Sequence, residues 1–136
     1  MTRALRIWVW VLLSDLLVRS IDYLSGGDIS VPDDNLAVPE IWGAASLATF
    51  LVVLTGLLLK NSAVLKFGSI TAFSVYLMVA IQMFEVAMLP YPWPPENPRL
   101  SVTLFVISTL WLSIACIVWW REYVSKECEK EALSGG

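Results

Sequence analysis

Three charged residues, Asp15, Arg19 and Asp22, interrupt an apolar N-terminal stretch, RIWVWVLLSDLLVRSIDYL. Their i, i+4, i+7 spacing puts them within a narrow arc of one helix face. A charge at the centre of a membrane span costs about 3 kcal/mol on insertion scales, so such residues turn toward a bundle interior or a water-filled path and take partners. Arg19 is the intrahelical partner for Asp15 and Asp22. Glu85 interrupts a later apolar stretch. Counted from the outer helix ends, Arg19 lies about one and a half turns down and Glu85 about one turn down. The expectation is an interhelical Arg19–Glu85 ion pair, with Asp22 nearby and Gln82 one turn deeper. Such a network can fix helix register, carry protons or ions, or present a polar surface for oligomerisation. Arg19 favours the first role, because a carboxylate neutralised by a cation makes a poor proton carrier.

Other chemistry is scarce. There is no histidine, which removes the commonest metal ligand and general base. Cys116 lies in an apolar run and Cys128 in the charged C-terminal segment. Their spacing suggests neither a metal site nor a disulfide. The chain lacks a nucleophile elbow, a phosphate loop and a haem ligand set. The expectation is a non-enzyme without cofactor or metal, and the absence of a basic stripe argues against nucleic acid.

The elements that carry these residues follow from hydropathy. The 136 residues are 57% hydrophobic and 15% charged, more apolar side chain than a soluble domain of this size can hide. Residues 41–59, 67–84 and 100–120 are free of charge, and each is close to the ~20 residues a spanning helix needs. The N-terminal stretch has the length but also the three charges. It has no small-x-small cleavage site after its apolar part, so it reads as a retained first span rather than a signal peptide. The expected fold is all-α: an integral membrane four-helix antiparallel bundle over residues 1–122, with spans at about 5–24, 41–60, 65–89 and 100–121. Residues 123–136 form a charged cytoplasmic tail.

Connections and flanks agree with this division. The first loop is rich in Gly, Pro and Asp, the second is a tight turn around Asn61 and Ser62, and the third holds Pro90, Pro92, Pro94, Pro95 and Pro98. That third loop is expected to be extended. Arg3, Arg6, Lys60, Lys66, Arg121, Lys126 and Lys130 fall on one side, so both termini are expected in the cytoplasm and the protein in the plasma (inner) membrane. Trp8, Trp10, Trp119 and Trp120 would lie at the cytoplasmic interface, and Tyr23, Trp42, Tyr91 and Trp93 at the outer one. Gly43, Ala44 and Ala48 in the second span, and Gly68 and Ala72 in the third, offer small-residue surfaces for helix packing. The expected partners are the lipid bilayer and a further copy of the chain or another membrane protein.

The opening RIWVWVLLSDLLVRSIDYL, the Pro- and Asp-rich first loop, the four short-looped spans and the charged tail resemble small membrane proteins of actinobacterial tailed-phage lysis cassettes. Those proteins are often encoded beside the endolysin and are regarded as holins or holin partners. The resemblance implies lateral assembly that permeabilises the membrane at a set time, with polar groups of the first helix lining or triggering the lesion. The layout is also similar to small multidrug-resistance antiporters, which carry one carboxylate near the middle of the first helix, here Asp15. That similarity implies proton-coupled transport, although those proteins use Glu without a neighbouring Arg and have a shorter first loop. A third expectation is an accessory subunit or superinfection-exclusion factor that docks through residues 90–98, using Tyr91 and Trp93.

Overall fold

The computed structural model describes residues 3–25, 39–88 and 99–134. Among them the chain is all-helical, with four helices: α1 (Arg3–Leu24), α2 (Pro39–Leu58), α3 (Ser62–Met88) and α4 (Arg99–Ser134). α2, α3 and α4 are long and apolar enough to cross a membrane. α1 has 22 residues, about 33 Å at 1.5 Å per residue, and so has the length, but it carries the three charges. α4 has 36 residues, or about 54 Å, well beyond the ~30 Å hydrocarbon thickness. It runs unbroken from its apolar part through the charged segment.

α3 packs along both α2 and α4, and α1 packs along α2. α1 and α4 only graze one another. The helices thus form a ring with α1 and α3 on one diagonal and an open seam between α1 and α4. The core joins Val9, Leu13 and Leu16 of α1, Val53 of α2, Ala72 and Ala80 of α3, and Leu104 and Trp111 of α4. Hydroxyls are buried with them: Ser20, Ser46, Thr49, Ser69, Ser101 and Ser108. Most bond to their own helix, as Thr49 Oγ1 does to the Ala45 carbonyl at 2.7 Å and Ser69 Oγ to the Leu65 carbonyl at 2.8 Å. This satisfies a polar group where no water is at hand. The outside is apolar instead, with Ile7, Val18, Leu51, Phe67, Met78 and Val106 among its exposed side chains. Hydroxyls inside and large apolar side chains outside is an arrangement that lipid accommodates and water does not.

The tight α2–α3 connection explains itself residue by residue. Lys60 takes a left-handed conformation, φ 52°. It lets the Asn61 N–H donate to the Gly56 carbonyl at 3.0 Å, the six-to-one bond of a Schellman ending. Asn61 then caps α3, its Oδ1 accepting from the N–H groups of Ala63 at 3.0 Å and Val64 at 3.3 Å. One residue closes α2 and opens α3.

Small residues set the approach of these two helices. A Cβ at Gly56 would lie 2.7 Å from the backbone N of Leu65, and one at Gly68 would lie 2.8 Å from Val53 Cγ2 and 3.2 Å from its Cα. Gly68 and Ala72 are buried as expected, and Gly43 is buried where Leu24 of α1 crosses it. Ala44 and Ala48 are corrected: both are exposed. The inward stripe of α2 runs through Gly43, Ser46, Thr49, Val53 and Gly56, and a residue one position along a helix is turned about 100° away from it.

The aromatic residues divide by end. Trp8, Trp10, Trp119 and Trp120 are exposed, and Tyr123 stacks on Trp119 and lies tilted against Trp120, with ring centroids at 6.2 and 6.1 Å. Tyr23 is buried and Trp42 packs against the core. Tyr91 and Trp93 lie outside the described residues.

Candidate functional site

Asp15 is the centre of a polar cluster between α1 and α3. Its Oδ2 accepts from Arg19 Nε at 3.0 Å, the i, i+4 pair that spacing predicts. The same oxygen accepts from the Tyr76 hydroxyl at 2.6 Å. Tyr76 belongs to α3, on the far side of the diagonal, and is 3% exposed. The α1 and α3 backbones lie apart, so the long phenol side chain makes the link. The Arg19 guanidinium carbon sits 5.8 Å from the centroid of the Tyr76 ring, within cation–π range. Ring and hydroxyl of one tyrosine thus hold both members of the ion pair.

The Arg19–Glu85 pairing is corrected. The ion pair of Arg19 among the described residues is with Asp15, and Glu85 is exposed. The physical reason is stagger. Arg19 is level with Tyr76, and Glu85 lies about 13 Å further along α3. Depths counted from helix ends assumed that α1 and α3 stop at one level. Gln82 does not join the network either; its Oε1 is buried without a hydrogen-bond partner. Asp22 is half-buried, and its carboxylate forms no ion pair among the described residues. Tyr76 had no charge or motif to flag it. A tyrosine in the middle of a span, away from either interface, is the available signal, since a buried phenol needs a partner.

The space around this cluster is small. The cavity bounded by Arg19, Tyr23, Ser46, Tyr76 and Leu104 measures about 10 Å³, against the roughly 300–1,000 Å³ of small-molecule sites. Arg19 lines this small cavity, while the Asp15 side chain is 35% exposed.

A second polar locus lies at the opposite, basic end. Lys66 Nζ of α3 donates to Glu122 Oε2 of α4 in a long-range ion pair. Next to it is a cavity of about 920 Å³, bounded by Leu5 and Arg6 of α1, the α2–α3 turn, and residues from Val118 to Ser125 of α4. No group of three metal-ligating side chains occurs among the described residues. No family model, curated protein or solved structure matches the chain.

Proposed function

We propose that the chain is a non-enzymatic integral membrane protein of four spans, with both termini cytoplasmic, that associates laterally with its own copies in a holin-like role. The observation that carries the reading is how α1 sorts its residues. Ile7, Val11, Val18 and Ile21 are exposed, while Asp15 and Arg19 turn toward Tyr76. A helix in lipid turns its charges toward partners this way, here leaving the Arg19 and Asp15 side chains 20% and 35% exposed. A fourth antiparallel span returns the C-terminus to the side of the N-terminus. The meeting of Arg6, Lys60 and Arg121 around one cavity supports a common cytoplasmic end.

The lightly packed α1–α4 seam suits lateral assembly. Parting there exchanges contacts within one chain for contacts between copies and brings the charged face of α1 to the new interface. Inducible expression in a bacterium is expected to arrest growth and collapse the membrane potential. Normal growth at high expression overturns the holin-like reading. Topology has its own test. In a Cys-less background, Ser25→Cys reacts with a membrane-impermeant maleimide in intact cells, whereas a chain retaining only Cys128 reacts after permeabilisation.

A proton-coupled transporter working through Asp15 has less support, because Asp15 is engaged by Arg19 and Tyr76 and the adjoining cavity is of about 10 Å³. Efflux abolished by Asp15→Asn would restore it. The docking reading through residues 90–98 falls outside the described residues.

A further inference from the structure

We propose that the basic-end cavity between α1 and α4 is a binding site for an anionic phospholipid, with the headgroup phosphate among Arg6, Lys60 and Arg121 and an acyl chain in the seam. The inference rests on the membrane reading above. Three observations carry it. The cavity measures about 920 Å³, within the range of small-molecule sites and far larger than a free phosphate requires. Its lining is divided chemically: Leu5, Leu57 and Val118 are apolar, and Arg6, Lys60 and Arg121 are cationic. These three cations come from three separate stretches of chain, and none has an ion pair among the described residues.

Glu122, the acidic residue in the lining, is occupied by Lys66. The cavity is therefore left with a net excess of cations. Basic pockets between spanning helices at the cytoplasmic face hold anionic headgroups by this combination of charge and apolar depth. The seam supplies the way in, since α1 and α4 only graze one another and a lipid can enter sideways from its own leaflet. A bound lipid would wedge between the two helices that the protein itself joins least.

The test uses the full-length protein purified in a neutral detergent, with binding read by native mass spectrometry. It is titrated with dioleoyl-phosphatidylglycerol, with dioleoyl-phosphatidylcholine, and with glycerol 3-phosphate alone. Phosphatidylglycerol is expected to bind about tenfold more tightly than phosphatidylcholine, and glycerol 3-phosphate not to bind. The Arg6→Gln/Arg121→Gln variant is expected to lose the preference. Lys126→Gln/Lys130→Gln, whose charges lie outside the cavity, is expected to keep it. Equal binding of both lipids, or a preference that survives Arg6→Gln/Arg121→Gln, overturns the site. Binding of glycerol 3-phosphate as tight as that of the lipid overturns the lipid assignment in favour of a phosphate site. If the double variant loses its helical circular dichroism, Lys60→Gln carries the same test, with a reduced preference expected and an unchanged one overturning the site. Alkaline carbonate extraction is read separately. A protein released by carbonate overturns the membrane reading, whereas a retained protein indifferent to headgroup overturns the lipid site alone.

Discussion

The Tyr76 hydroxyl donates to Asp15 Oδ2 at 2.6 Å across a diagonal that the two backbones do not bridge. It ties α1 to α3 through polar groups, beside the apolar core that Val9, Leu13 and Leu16 share with α3. Tyr76→Phe keeps the ring over Arg19 and removes the hydroxyl. Interhelical hydrogen bonds in membrane proteins average about 0.6 kcal/mol and reach about 1.7 kcal/mol. A charged acceptor places this one toward the upper end, so a loss of about 1–2 kcal/mol is expected in reversible detergent unfolding. If the bond also restrains seam opening, the variant should reach growth arrest sooner after induction at matched expression.

Arg19→Leu strands the Asp15 carboxylate. Removing one partner of a buried pair costs about 3–5 kcal/mol, and partial exposure of this pair lowers the expectation to about 2–3 kcal/mol. The double variant Asp15→Leu/Arg19→Leu should recover most of that loss, because it leaves no charge unmatched. Glu85→Gln should stay within about 0.5 kcal/mol of the native protein. A large Glu85 effect would return the Arg19–Glu85 pair to consideration.

Gly56→Ala sets a methyl against the backbone of Leu65, which cannot rotate away. A loss of about 1–3 kcal/mol is expected from overpacking, with a lower thermal midpoint in detergent. Ala48→Leu, on the exposed side of the same helix, should be tolerated within about 0.5 kcal/mol.

The α2–α3 turn makes two opposite predictions. Asn61→Ala removes the cap of α3 and should cost about 1 kcal/mol. Lys60→Gly relieves a left-handed side chain worth about 1–2 kcal/mol but frees the unfolded chain by about 0.5–1 kcal/mol. A net gain of about 0.5–1 kcal/mol in detergent unfolding is expected.

Hydropathy alone made α2, α3 and α4 legible, because uncharged length is a local property. The Asp15–Arg19 pair was legible for the same reason, since i, i+4 spacing is a distance along one helix. Tyr76 was not, because its meeting with Asp15 depends on which helices sit on the diagonal and how far each is displaced along its axis. The same stagger misplaced Glu85. Ala44 and Ala48 looked like packing residues beside Gly43, but composition does not reveal which way a helix is rotated. Gly56 passed unnoticed because its role depends on Leu65, in the first turn of the next helix.

The Asp15–Tyr76 bond also has a consequence for biosynthesis. Its two ends are separated by 61 residues. At about 5–20 residues per second, Asp15 is made roughly 3–12 s before its partner exists. During that interval Arg19 is the companion that α1 carries with it. On the four-span reading proposed above, the first helix would enter the membrane on provisional terms, with Asp15 matched only to Arg19, and become committed when α3 arrives. Nascent chains arrested before Tyr76 should release α1 to an extracting agent more readily than chains arrested after it.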